Sequence, residues 1–116
     1  MLEKFGIGID IVEIERFFKK PYNENKIFYQ KIFHDSEIAN CLKKKNCAEC
    51  FAGKFAIKES VIKSVPIPIN FLDILISYSN LKPTITLTNS NYSFLVSLTH
   101  EKHYAISVVI SEKINS

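Results

Sequence analysis

The chain has 116 residues, of which 47% are hydrophobic and 23% charged, and these values are typical of one globular domain spanning residues 1–116. They exclude a largely disordered protein, and no apolar run approaches the ~20 residues that a membrane-spanning helix needs. The formal net charge of +3 comes from lysines and a single arginine, Arg16. This charge suits a phosphate-bearing or acidic partner but is too small to indicate nucleic-acid binding.

Three cysteines lie close together, at Cys41, Cys47 and Cys50. An odd number of cysteines argues against a disulfide framework, so we expect free thiols in a reducing cytoplasm. Cys47 and Cys50 have the spacing of half a zinc or redox motif, but no second pair follows, which favours buried thiols on a helix. The N-terminal residues also lack the pattern of an export signal, which again predicts a cytoplasmic protein.

A strand is predicted near the N-terminus, where apolar residues alternate with two glycines and Asp10. These apolar residues are Phe5, Ile7, Ile9 and Ile11. Glycine inside a strand often marks the close approach of a ligand or of another backbone. From Ile11 the spacing becomes that of a short helix, which Pro21 would stop. Because Asp10 and Glu13 resemble a capping box, a helix N-cap is the alternative role for Asp10.

The longest apolar-faced helix is predicted over residues 51–65, and Glu59 interrupts its apolar face. A carboxylate in such surroundings must be protonated, paired or bound to a cation, because an isolated buried charge is too costly. Lys58 and Lys63 flank Glu59 on the same helix. From these residues alone, two interpretations remain open: Glu59 forms a buried ion pair with a lysine, or it belongs to a functional site.

The remaining elements complete an α+β pattern. Residues 21–26 form a polar connector, Asp35 or Ser36 can cap a second helix, and Asn46 with Glu49 resembles the cap of the central helix. Four strands follow at residues 72–78, 84–88, 94–98 and 104–110. The predicted fold is therefore an N-terminal strand, a helical half and then an antiparallel meander.

Asp10 and Glu59 are carboxylates at positions where packing alone would not select them. The first strand needs an apolar partner, and the central helix is the longest one available, so the two carboxylates can meet. Mg²⁺ usually takes one or two protein carboxylates and completes its octahedron with waters and substrate phosphates. No phosphate-binding glycine loop and no Ser/His/Asp arrangement competes with this site.

Three segments resemble the motifs of one family in the family's order. Residues 6–16, 51–63 and 96–105 resemble the three motifs of the holo-acyl-carrier-protein synthases, the small 4′-phosphopantetheinyl transferases, and residues 33–41 resemble their intervening helix. Co-ordered motifs across most of a chain are far more specific than one pattern match. The resemblance implies a 4′-phosphopantetheinyl transferase-like fold.

The resemblance also implies an activity. Such an enzyme transfers the 4′-phosphopantetheine group from coenzyme A to a serine of apo acyl carrier protein, with Mg²⁺, and releases 3′,5′-ADP. Its place would be fatty acid biosynthesis in the cytoplasm. The family is typically a homotrimer with active sites between protomers.

The resemblance assigns roles residue by residue. Asp10 and Glu59 would ligate Mg²⁺, and Glu59 would help to deprotonate the carrier serine, directly or through a water. Lys63 would neutralise charge on the attacked phosphate, and Arg16 would pair with acidic side chains of the carrier protein. The residues implied to contact coenzyme A are Lys54, Lys63, Pro83 and His100.

The chain departs from the family pattern at several positions. Lys54 replaces a common arginine, and the two are not equivalent in phosphate contacts. Residues 65–68 replace a glycine-rich turn, Leu81 replaces a common glycine, and the helix usually found between the last strands is missing. The alternative function is therefore a catalytically impaired module that binds the carrier protein or coenzyme A.

Overall fold

The computed structural model describes residues 2–114. Its strands are β1 (Phe5–Glu13), β2 (Ile74–Ser79), β3 (Lys82–Leu87), β4 (Tyr92–His100) and β5 (Tyr104–Lys113). Its α-helices are α1 (Glu15–Phe18), α2 (Lys26–Gln30), α3 (Asp35–Leu42) and α4 (Cys47–Ser64). The predicted order of a strand, a helical half and then antiparallel strands is confirmed. Within residues 2–114, no helix is long and apolar enough to cross a membrane.

The five strands divide between two antiparallel sheets. The larger sheet has the order β1-β5-β4, and β2 pairs only with β3. The first and last strands of the chain therefore lie side by side. Because β4 pairs with β5 in the larger sheet and β2 pairs only with β3, the last four strands form two hairpins rather than one continuous meander.

Strand β1 is longer than predicted. Every residue from Phe5 to Glu13 has a partner on β5, and Asp10 lies opposite Ser107. This pairing overrides the helical spacing that begins at Ile11, so α1 starts only at Glu15. The alternative role of Asp10 as a helix N-cap is therefore wrong, because Asp10 lies inside a strand.

The helical half also differs from the prediction in two places. Part of the expected connector at residues 21–26 forms a 3₁₀ turn, and α2, which was not predicted, follows it. Helix α3 is capped by His34 rather than Asp35 or Ser36, and the His34 N–H donates to Glu37 Oε1 at 2.7 Å. A carboxylate at the third helical position thus satisfies a backbone donor that the sequence alone did not assign.

Helix α4 lies across the larger sheet, and two glycines of β1 allow it to come close. A Cβ atom on Gly6 would overlap the Ser64 carbonyl oxygen, and one on Gly8 would overlap that of Ser60. The glycine face therefore accommodates another backbone, one of the two possibilities that the sequence offered. At its start, α4 is capped as predicted, because Asn46 Oδ1 accepts a hydrogen bond from Glu49 N at 3.0 Å.

Two of the three cysteines are bridged, which corrects the expectation of free thiols. Cys41 on α3 and Cys50 on α4 form a disulfide. Packing of the two helices brings their Cα atoms to 5.4 Å, a separation suited to a disulfide. Cys47 is free, and its Sγ lies 3.3 Å from the carbonyl oxygen of Lys44.

Candidate active site

Asp10 and Lys63 form an ion pair where α4 crosses the edge of β1. Lys63 Nζ lies 3.0 Å from Asp10 Oδ1 and donates a second hydrogen bond to the Ile9 carbonyl oxygen at 3.1 Å. The Asp10 side chain is 14% exposed and that of Lys63 51% exposed. The pair is therefore reachable from solvent, and an exchangeable contact of this kind can give way to a ligand.

Glu59 lies on α4 one turn before Lys63, and its side chain has neither a hydrogen bond nor an ion pair among the described residues. Burial raises its pKa first, and the negative charge of Asp10 raises it further, while Lys63 and Arg16 act in the opposite direction. The two carboxylates are thus close enough to repel each other. The ion pair that the sequence allowed between Glu59 and Lys63 is not formed, because Lys63 binds Asp10 instead.

This pair of carboxylates fits a hard divalent cation. Asp10 and Glu59 supply oxygen ligands from a strand and a helix, and their mutual repulsion would be relieved by a positive charge between them. In residues 2–114 no group of three or more acidic, histidine or cysteine side chains is placed to hold a metal. A cation held by the two carboxylates would therefore take its other ligands from water or phosphate, as Mg²⁺ commonly does.

Lys54 lies in a different environment from Lys63. It is only 1% exposed, and its Nζ donates a hydrogen bond to the phenolic oxygen of Tyr78 at 3.0 Å. Tyr78 belongs to β2, where its cross-strand partner is Pro83 of β3. The structure therefore brings Lys54 and Pro83, two of the predicted coenzyme A contacts, to the same hairpin.

The other two predicted residues are exposed. His100 ends β4, and its Nε2 lies 3.7 Å from Glu49 Oε1 at the start of α4. Arg16 lies on α1, with its guanidinium carbon 5.2 Å from the centre of the Phe55 ring. Its positive charge opposes the rise in the pKa of Glu59. Arg16 therefore borders the carboxylate site, which we define as Asp10, Glu59 and Lys63.

Comparison with known proteins identifies the family. The family model described as 4′-phosphopantetheinyl transferase superfamily matches residues 6–109. The chain belongs to this superfamily. Holo-[acyl-carrier-protein] synthase of Bacillus cytotoxicus is 35% identical over 113 residues, covering 92% of this chain and 94% of that protein. The synthase of Mycoplasma capricolum is 37% identical over 109 residues, covering 92% and 94%.

Solved structures of this family have the same fold. Helicobacter pylori holo-[acyl-carrier-protein] synthase in complex with coenzyme A matches with a TM-score of 0.79 at 35% identity, covering 91% of this chain and 99% of that chain. The Bacillus anthracis synthase, in complex with CoA (3′,5′-ADP), also has a TM-score of 0.79, at 30% identity, covering 93% and 96%. The predicted holo-acyl-carrier-protein synthase family is confirmed.

Sequence reasoning missed a buried ion pair in this superfamily member. Lys58 precedes Glu59 but points away from Asp10, and its Nζ lies 2.8 Å from Glu37 Oε1 with both side chains fully buried. Glu37 also accepts a hydrogen bond from Ile76 N at 2.8 Å. The sequence signal for this pair was the position of Glu37 next to the apolar residues of α3. Tyr78 was missed as well, and its position in an alternating strand carried no signal of its contact with Lys54.

Proposed function

We propose that this protein transfers the 4′-phosphopantetheine group from coenzyme A to a serine of apo acyl carrier protein, with Mg²⁺, and releases 3′,5′-ADP. The observation that carries the proposal is the convergence of Asp10, Glu59 and Lys63 where β1 meets α4. Two carboxylates and a lysine suit a metal-bound diphosphate. The similarity to synthases solved with coenzyme A supports the same substrate here.

The proposed chemistry uses each member of this cluster. Asp10 and Glu59 would hold Mg²⁺, which when bound neutralises charge on the diphosphate of coenzyme A. Glu59, directly or through a water, would accept the proton of the carrier serine, and its raised pKa suits a general base. The serine oxygen then forms a bond to the phosphorus that carries pantetheine, and the bond to the departing 3′,5′-ADP breaks. Lys63 would donate to the phosphate oxygens as their charge shifts.

Further residues complete the proposed substrate sites. We assign Lys54, Pro83 and His100, together with Lys63, to coenzyme A binding. We assign Arg16 to the acidic side chains of the carrier protein, because it is exposed on α1 and its charge reaches the carboxylate site. The family match over residues 6–109 supports one transferase domain. By analogy with this family, we propose a cytoplasmic role in fatty acid biosynthesis.

We also propose a homotrimer, and one face of the larger sheet supports it. The face of β1 opposite α4 exposes Ile7, Ile9 and Ile11 by 60–68%, and Leu95 of β4 is 72% exposed. Ile110 of β5 connects these strands, since it pairs with both Ile7 and Leu95. A contiguous apolar face of this kind is suited to association.

The oligomer is tested by light scattering on the wild-type chain and on Ile9→Glu. We expect a trimer for the wild type and a smaller species for Ile9→Glu, because a charge on the sheet face opposes burial. Thr84→Glu on the exposed edge of β3 is the matched control and should remain trimeric. A wild-type monomer that retains full activity would refute the shared-site arrangement.

The activity is tested by incubating the protein with apo carrier protein, coenzyme A and Mg²⁺, and then measuring the intact mass of the carrier. We expect the carrier to gain one phosphopantetheine group, and to gain none with Asp10→Asn. Coenzyme A binding without any gain, while a known synthase modifies the same carrier, would instead support the impaired binding module.

A further inference from the structure

The ammonium group of Lys54 is a buried cation that has no carboxylate partner of its own among residues 2–114. Its one hydrogen bond within residues 2–114 goes to Tyr78, whose ring centroid lies 4.5 Å from Nζ. Glu37 favours the charged form of Lys54, but this carboxylate already binds Lys58 at 2.8 Å. Because burying a cation without a counter-ion is costly, this location favours an anionic ligand.

The cations near Lys54 also favour an anionic ligand. Burial is the main cause that lowers the pKa of Lys54 to about 8, Glu37 opposes this shift, and Lys44 adds to it. The charge of Lys54 in turn contributes to lowering the pKa of Lys58, the neighbouring cation of α4. Burial raises the pKa of Tyr78, so its phenol keeps its proton at neutral pH. A protonated phenol therefore lies against a cation in positively charged surroundings.

Tyr78 is the part of this arrangement that a ligand can reach. Its residue is 46% exposed, whereas Lys54 beneath it is 1% exposed. A lysine can only donate, so the phenolic oxygen accepts from Lys54 and its own hydrogen remains available. No described residue accepts that hydrogen. Tyr78 also pairs across the hairpin with Pro83, a residue that we assign to coenzyme A.

We propose that Tyr78 is a coenzyme A-binding residue whose hydroxyl donates a hydrogen bond to a phosphate of the ligand, with Lys54 held behind it as the supporting charge. This inference rests on the transferase function proposed above and refines one assignment in it, since Lys54 then contributes to coenzyme A binding through Tyr78 and not by touching the phosphate itself. A phenol that accepts from an ammonium group is a stronger donor, and its bond to a phosphate is charge-assisted. The phosphate is either the 3′-phosphate or the diphosphate of coenzyme A.

The first test removes only the hydroxyl. Tyr78→Phe keeps the ring over Lys54, so we expect folding to be preserved and KM for coenzyme A to rise roughly tenfold at pH 7, with kcat nearly unchanged. Calorimetric titration with coenzyme A alone should show the same loss of affinity without any transfer. Tyr22→Phe is the matched control, because the Tyr22 ring lies 5.9 Å from Lys26 Nζ without a hydrogen bond to it. That variant should bind coenzyme A as the wild type does.

The same titration with 3′-dephospho-coenzyme A identifies the phosphate. If the 3′-phosphate is the acceptor, Tyr78→Phe and the wild type bind this analogue equally. If the diphosphate is the acceptor, the roughly tenfold loss in Tyr78→Phe persists with the analogue.

The pH dependence tests the part that Lys54 plays. Its charged form supports the hydrogen bond below a pKa of about 8, so affinity for coenzyme A should fall as pH rises through this value. In Tyr78→Phe the hydroxyl that links Lys54 to the phosphate is gone, so this fall in affinity should be largely lost. Lys54→Arg stays charged throughout, so its affinity should not fall between pH 7 and 9.

Unchanged affinity of Tyr78→Phe at every pH would overturn the inference, as would an alkaline fall that persists in Lys54→Arg. Failure of the proposed function has a different result. In that case coenzyme A binding still depends on Tyr78, but the carrier protein gains no mass.

Discussion

Two lysines of α4 form ion pairs of opposite character. Lys58 binds Glu37 with both side chains fully buried, and it also donates to the carbonyl oxygens of Ile32, Phe71 and Ile74 at 2.8–3.1 Å. Lys63 binds Asp10 at the solvent-accessible edge of β1, where the lysine side chain is 51% exposed. One lysine has all of its partners inside the fold, whereas the other can exchange its partner.

This difference indicates that Lys58 stabilises the fold, whereas Lys63 is available for the proposed chemistry. Burial lowers the pKa of Lys58, and the hydrogen bond and charge of Glu37 oppose this shift, so the pair depends on both members. Removing one member of such a pair strands a buried charge. Around Lys63, the carboxylate of Glu59 has no partner of its own among the described residues. The cluster of Asp10, Glu59 and Lys63 is therefore the one that can bind a ligand.

The largest effect should follow from Lys58→Met. The buried Glu37 carboxylate would lose its cation, so we expect the free energy of unfolding to fall by roughly 3–5 kcal/mol. Urea denaturation measures this change, with Lys63→Met as the matched control, which should lose at most about 1 kcal/mol. Adding Glu37→Leu to Lys58→Met should restore part of the stability. A single Lys58→Met variant as stable as Lys63→Met would remove the distinction between the pairs.

Asp10→Ala and Glu59→Ala should abolish transfer while the chain remains folded. Each variant removes one of the two carboxylates proposed to hold Mg²⁺, and we expect kcat to fall by roughly 10³-fold or more at limiting Mg²⁺. Stability should be nearly unchanged, and we expect Glu59→Ala to be at least as stable as the wild type, because it removes a half-buried charge that has no partner within residues 2–114. Carrier-mass kinetics and thermal melting measure the two quantities. Near-normal turnover in either variant would disprove the metal assignment.

Lys63→Met should affect the rate and spare the fold. Lys63 is proposed to act mainly in the transition state, so kcat should fall by roughly 10²–10³-fold with little change in coenzyme A affinity. Its ion pair with Asp10 is partly exposed, so the melting temperature with saturating Mg²⁺ should barely move. The contrary result, a large drop in melting temperature with kcat preserved, would make Lys63 as structural as Lys58.

The smallest effect, on binding of the carrier protein, is expected for Arg16→Glu, which lies beside Asp10, Glu59 and Lys63. If Arg16 meets acidic carrier side chains, association with the carrier should slow by roughly tenfold at low salt, and the difference should fade as salt is added. Coenzyme A affinity should stay constant. Lys113→Glu makes the same charge change at the end of β5 and serves as the control. Equal association rates for the two variants would exclude a specific role for Arg16.

The sequence alone predicted the features that depend on local patterns. Apolar alternation indicated β1, and the Asn46 side chain was identified as the cap of α4 because a capping bond spans only a few residues. Three co-ordered motifs predicted the family that the comparisons confirmed. The convergence of Asp10 and Glu59 was also predictable, because one long apolar helix was available to cover the glycine face of β1.

Boundaries and covalent pairing depended on parts of the chain that are distant in sequence. β1 continues past Ile11 because β5 offers a partner for each residue as far as Glu13. Cys41 and Cys50 are bridged because α3 packs against α4 at that level, whereas cysteine number and spacing had favoured free thiols. Pairing partners in a sheet and between helices are decided by tertiary packing, which overrides local preference.

The two lysines beside Glu59 show where sequence reasoning stops. Helical periodicity gives Lys58 and Lys63 different directions around α4, but it does not say what lies in each direction. The tertiary structure places the buried Glu37 carboxylate on one side and Asp10 at an exposed sheet edge on the other. Because the energy of an ion pair depends on distance and burial, only the folded chain decides which lysine stabilises the protein and which is available to a substrate.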